Sequence, residues 1–145
     1  MAATSTRSRW FWVGFGAWCV LLTILSSISG PDLPEGPEIP HLDKLVHLIM
    51  FMTGAALLTL ALEESLASWP DWKCSLLVIG SIALIGFIDE WRQLLTPERT
   101  GGDWQDWIAN IAGGILGAVL FGHVFRKHRG REQSRETAPT GDRET

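Results

Sequence analysis

The chain has 145 residues, 46% of them hydrophobic, with eight Trp and no Tyr, and a mean hydropathy of +0.15. This length fits one domain, and the apolar excess points to lipid-facing helices rather than to a soluble core. The net charge of −4 hides a clustering of basic residues, and the basic stretch near the C-terminus, interrupted by Glu132 and Glu136, is too short for a nucleic-acid surface; anionic lipid is its simpler partner.

In chain order, residues 1–9 form a short polar arm carrying Arg7 and Arg9. Residues 10–28 then form an apolar run of 19 residues, long enough to span a bilayer and longer than the roughly 7–15 residues of a secretory core. The spacing predicts a first transmembrane helix from Trp10 to Ser29; signal cleavage after Ser26, Ser27 or Ser29 is the weaker reading. Gly30 to Pro40 holds four prolines and two glycines, which forbids helix until the prolines stop.

A second helix is expected from Asp43 to Leu62. Asp43 and Lys44 fall in its first turn, and His47 lies inside the apolar run, one turn from Asp43 on the same face. Residues 63–73 are a polar connection with Pro70 as breaker and with Trp69 and Trp72 as interface anchors. The third helix, Cys74 to Leu95, is apolar through Ile88 and then carries Asp89, Glu90, Arg92 and Gln93, of which Asp89 and Gln93 share a face. Adjacent on a helix, Asp89 and Glu90 point about 100° apart, which argues against a matched acid and base pair. After a turn containing Pro97, Arg99, Gly101 and Gly102, Asp103 is placed to cap a fourth helix running to Phe125.

In that fourth helix Asp103, Asp106 and Asn110 recur at three and four residues, on a stripe that continues into Gly113, Gly114 and Gly117. Gly113 and Gly117 form a GxxxG pair that admits a neighbouring helix backbone. Residues 126–145 lack periodicity and read as a disordered, basic and polar cytoplasmic tail. Cys19 and Cys74 have no metal-ligand spacing and read as buried thiols.

Nine of the twelve Lys and Arg lie in the N-terminal arm, the central connection and the tail, leaving Lys44, Arg92 and Arg99 on the other side. The positive-inside rule then puts both termini in the cytoplasm. The fold expected is all-α: a bundle of four transmembrane helices over residues 10–125, with the His41–His47 and Asp89–Asp106 stretches on the outer face.

The motifs Asp43-Lys44-x-x-His47, Asp89-Glu90-x-x-Gln93, a nearby Arg99, and Asp106-x-x-x-Asn110-x-x-Gly113, in this order over about residues 10–125, resemble the VanZ-like family of small bacterial membrane proteins. That resemblance implies a multi-pass protein of the bacterial inner, cytoplasmic, membrane. The family takes its name from a protein associated with low-level resistance to the glycopeptide teicoplanin, and most members have no established activity. His41 and Trp91 are additions to its pattern.

Ionisable residues at membrane depth cost at least about 2.5 kcal/mol each and face protein or a water-filled cavity, so they are functional candidates. His47, Asp89 or Glu90, Gln93, Arg99, Asp106 and Asn110 are expected to converge near the outer interface, with His47 bonded to Asp89 or Glu90 and the other carboxylate facing Arg99 or Arg92. One reading is a catalyst on a lipid-linked or headgroup substrate, with His47 and Glu90 or Asp89 as acid and base. In it Asp43, Lys44, Gln93, Asp106 and Asn110 supply binding groups and Arg99 holds an anionic headgroup. The other is a non-catalytic envelope component whose polar residues fix helix packing. His41, Asp43, His47, Asp89, Asp103 and Asp106 are of metal-ligand type, but their spacing is not diagnostic and no metal or cofactor is assigned.

Overall fold

The computed structural model describes residues 6–28, 41–96 and 102–136. They form four helices: α1 Thr6–Ser26, α2 Leu42–Ser65, α3 Asp71–Leu94 and α4 Trp104–Glu136. Each contains a stretch long and apolar enough to cross a membrane. Most large apolar side chains stay exposed, among them Val20, Leu76, Leu84 and Val119, as expected where lipid rather than protein covers them.

The interior is a thin seam of Trp18, Leu22, Phe51, Ala55, Leu58, Leu62, Val78, Ile82 and Ala118. Lipid tails are as apolar as these side chains, so close packing and hydrogen bonds, not water exclusion, hold such helices together. α2 is central, touching the other three, and its contact with α4 is the most extensive in the bundle. Small residues cause this. A Cβ on Gly113 would strike the backbone of α2 at Leu48 and Met52, and one on Gly117 the backbone at Met52 and Ala56. The GxxxG pair expected from sequence therefore seats α4 on α2. On the other face of α2, Gly54 leaves room for the Trp18 ring, whose Nε1 donates to the Met50 carbonyl at 2.9 Å.

The ends are set by local chemistry. Pro70, extended at φ −64°, precedes α3 as its cap, and Asp71 occupies the first turn. Gly102 has a φ of 75°, a conformation natural to glycine, and delivers the chain to Asp103, whose Oδ1 accepts from the Gln105 backbone N–H at 2.8 Å. His41, just before α2, has a φ of 62°, uncommon for a residue with a Cβ.

α1 ends at Ser26 instead of Ser29 and α2 runs on to Ser65 instead of Leu62, and at three further boundaries polar residues that pair across helices shift the end. α1 starts at Thr6 instead of Trp10: Ser8 is buried with its hydroxyl 2.8 Å from that of Ser65, and Arg7 lies 3.6 Å from Glu64. α3 starts at Asp71 instead of Cys74. α4 does not end at Phe125 but continues to Glu136, so residues 126–136 are helix where a disordered tail was expected. Polar composition suggested disorder, but the segment is rich in Arg, Glu and Gln, good helix formers, and Arg126 and Arg129 are anchored inward. Residues 137–145, the remainder of that tail, lie outside the described residues.

Candidate functional site

The end of α1, the start of α2, the end of α3 and the start of α4 meet at one end of the bundle, and the polar motifs meet there. Lys44 is the first node. Its Nζ lies 2.7 Å from Asp43 Oδ2, 2.9 Å from Asp103 Oδ2 and 2.9 Å from Asp106 Oδ1, which uses all three donors of an ammonium and joins the start of α2 to the start of α4. The Lys44 ammonium, with help from the Gln105 N–H, holds the Asp103 carboxyl below its ordinary value.

One turn along α2, His47 forms the second node. Its Nδ1 is 3.0 Å from Asn110 Oδ1, and Asn110 is fully buried. The expected bond from His47 to Asp89 or Glu90 is thus replaced by one to Asn110. The glycine-mediated approach of α4 to α2 places Asn110 against the ring, while Glu90 comes from α3 with Oε1 3.8 Å from Nδ1, beyond hydrogen-bonding distance. Asp106 Oδ2 stands 4.0 Å from Nε2. Gly86 makes room on α3, since a Cβ there would meet Asn110 and the Phe51 ring.

Glu90 is the anomaly of this node. Only 5% of the residue is exposed, yet neither carboxylate oxygen has a hydrogen-bond donor among the described residues. The Gly102 backbone N–H faces it electrostatically without reaching bonding geometry. Among the described residues, Asn110 Nδ2 is the other buried side-chain nitrogen or oxygen without a hydrogen-bond partner.

Asp89 turns away from Glu90, as the helical angle requires. It accepts hydrogen bonds from the Ser26 hydroxyl of α1 and, at 3.0 Å, from Gln93 Nε2. Arg92, expected as a partner for one of the carboxylates, donates instead to the Ser27 hydroxyl at 2.9 Å. Asp89 and Gln93 are therefore joined to each other and to α1, while Glu90, Asp106 and Asn110 surround His47 and Asp43 stays at the exposed rim with Lys44. Arg99 lies outside the described residues. Openings flank the cluster. A cavity of about 70 Å³ between α1, α2 and α3 is bordered by Ser26, His47, Asp89 and Gln93. A groove of about 340 Å³ between α3 and α4 is lined by Phe87, Glu90, Trp91, Trp104 and Trp107.

Sequence reasoning missed Ser26, and it missed a polar cluster at the opposite end. Glu63, 3% exposed, lies 3.0 Å from Arg126 and 4.0 Å from Arg129, and Arg126 is also 3.5 Å from Asp71. The available signal was the small-residue face of α2 through Ala56 and Thr59, which ends in Glu63 as the glycine stripe of α4 ends in Arg126.

No curated protein and no solved structure gives a significant match to the chain. A profile of the VanZ/LLP1 family, however, matches residues 4–126, which takes in all four helices up to the second cluster. With the four spans described above, the chain is a multi-pass membrane protein that belongs to the VanZ/LLP1 family.

Proposed function

We propose that the His47–Glu90–Asp106–Asn110 cluster is a working site on a lipid-linked or headgroup substrate of the bacterial cell envelope, with His47 and Glu90 as the proton-transferring pair. The observation that carries this reading is the Glu90 carboxylate. A network that only fixes helix packing gains by satisfying its members, and a half-satisfied one is worse than an apolar core. A buried carboxylate without a donor among the described residues, beside an imidazole and lining a groove between α3 and α4, is instead what a ligand or a moving proton would use. Asp89, with Ser26 and Gln93, then positions the end of α3 and takes no proton.

The orientation proposed is both termini cytoplasmic in the inner membrane and this cluster at the outer interface, where envelope precursors are within reach. It is supported by the distribution of Lys and Arg. In whole cells, with Cys19 and Cys74 replaced by Ser, an impermeant thiol reagent should modify a Cys placed at Thr100 and not one at Ser68; the reverse pattern would invert the topology.

Teicoplanin susceptibility is the first phenotype to examine because of the family to which the chain belongs. Cells expressing wild type, Glu90→Gln or His47→Ala at equal levels should differ in susceptibility or in the profile of lipids and lipid-linked precursors, with both variants resembling cells lacking the protein. Identical susceptibility and identical profiles for wild type and Glu90→Gln would sink the proposal.

A further inference from the structure

We infer that His47, Glu90 and Asp106 form a site for one divalent transition-metal ion of the zinc or manganese class. The inference rests on the reading of this cluster as a working site and goes beyond it: in the metal-bound form His47 and Glu90 hold the ion instead of exchanging a proton.

One ligand atom from each of the three residues lies within 4.8 Å of the other two. Tetrahedral coordination with bonds of about 2.0–2.1 Å puts ligand atoms about 3.3 Å apart, so rotation of three side chains by roughly an ångström closes the set. Asp43, Asp103 and Asp106 are grouped as tightly, but the Lys44 ammonium already occupies their centre. In the His47 group Lys44 touches only Asp106, at Oδ1, and Glu90, whose ligand atom lies within reach of the other two, has both oxygens buried and without a hydrogen-bond partner among the described residues.

The surroundings of the three ligands support the same conclusion. Metal-binding imidazoles usually give their second nitrogen to a hydrogen bond that fixes the ring, and ligating carboxylates are themselves hydrogen-bonded. With the Asn110 amide in its present orientation, Oδ1 can only accept, so His47 Nδ1 carries the proton and Nε2 presents a lone pair on the side of Asp106 Oδ2. The other oxygen of Asp106 is held by Lys44. Neutral imidazole with two carboxylates cancels the charge of a divalent ion, which suits a site at membrane depth. Nitrogen with carboxylate oxygens is a donor set for zinc or manganese rather than for a soft thiophilic ion. Three protein ligands leave a position open. That position supplies what the described residues of this end otherwise lack: carboxylates outnumber Lys44 and Arg92 here, and an ion bound to them would let an anionic headgroup approach.

The test uses full-length protein purified in detergent, stripped with a chelator, incubated with Zn²⁺ or Mn²⁺ and desalted before elemental analysis. Wild type should retain about one ion per chain. Glu90→Gln and His47→Ala should weaken binding at least tenfold, and Asn110→Ala by about 10–100-fold as the loss of a ligand-orienting bond. His123→Ala and His128→Ala, both exposed and far along α4, should bind as wild type does. Monodisperse elution verifies that each variant is folded; if the site variants do not fold, pulsed EPR of Mn²⁺ bound to wild type should show coupling to a single imidazole nitrogen.

Less than about a tenth of an ion retained by wild type, no imidazole coupling, or loss of metal in Asp43→Asn but not in Glu90→Gln would overturn the inference. The two proposals fail separately. Cells that lose their phenotype with Glu90→Gln while the purified protein binds no metal would leave the proton-transfer reading standing and remove this one. A bound ion with an unchanged phenotype would keep the metal site and remove its role in the envelope.

Discussion

Glu63 and Glu90 are the same residue at nearly the same burial, 3% and 5% exposed, at opposite ends of one bundle, and their surroundings are opposite. Glu63 has Arg126 at 3.0 Å and Arg129 at 4.0 Å, whereas Glu90 has no hydrogen-bond donor among the described residues and an imidazole at 3.8 Å. The first end is what a carboxylate used for holding helices together looks like. Burial alone therefore does not set the two ends apart; hydrogen-bonding capacity left open does, and the role proposed for Glu90 rests on it.

The largest effect that would break this comparison is at the paired end. Arg126→Ala leaves Glu63 buried with only the more distant Arg129, and breaking such a pair should cost on the order of 3 kcal/mol, measured as a loss of stability to denaturing detergent. Adding Glu63→Gln should recover a large part of that loss, because the uncompensated charge is then gone. A cost for Arg126→Ala no greater than that of a surface substitution would mean that the second cluster is not structural either.

At the open end, the sign should reverse. In protein stripped of metal, Glu90→Gln removes a buried charge that nothing among the described residues satisfies, so stability should stay level or rise by about 1 kcal/mol, while in cells the envelope phenotype is lost. A clear destabilisation in the same assay would make Glu90 an ordinary structural residue and erase the contrast with Glu63.

The smallest effect sharpens the comparison within the Lys44–His47 cluster. Asp103 is held below its ordinary value of 3.8 first by the Lys44 ammonium and then by the Gln105 N–H. Because its folded value is the lower one, its contribution is fully present above the ordinary carboxylate value and is lost as pH falls through the folded value. Asp103→Asn should remove that contribution at neutral pH and flatten the acid limb of the stability profile below about pH 4. An unaltered acid limb would show that Lys44 is held by Asp43 and Asp106 alone.

The four spans were legible because a run of apolar residues ended by proline or charge has few other physical solutions, and the meeting of α2 with α4 was legible in Gly113 and Gly117. The candidate cluster was legible in outline for the same energetic reason: several polar residues at membrane depth have only one another for company. What each one touches was not. Helical spacing gave the angle between Asp89 and Glu90 but not which of them would find Ser26 on α1, since no short-range pattern links residue 26 to residue 89. The second cluster was lost for a different reason. Arg126 and Arg129 sit in a segment whose composition is that of a solvated tail, and only the partner buried on α2 turns them inward.

The bond between His47 and Asn110 and the ion pair between Glu63 and Arg126 each join residues 63 apart in sequence. The step from 47 to 63 on α2 thus equals the step from 110 to 126 on α4, about 24 Å of helix at 1.5 Å per residue. The two parallel helices are gauged against each other like a pair of rulers pinned at both ends, with Gly113 and Gly117 leaving no slack between them. One residue inserted into α4 between these pins would turn everything beyond it by about 100°, so the chain could keep the Glu63 pin or the His47 pin but not both. The number of residues in this stretch is therefore under constraint independently of their identity.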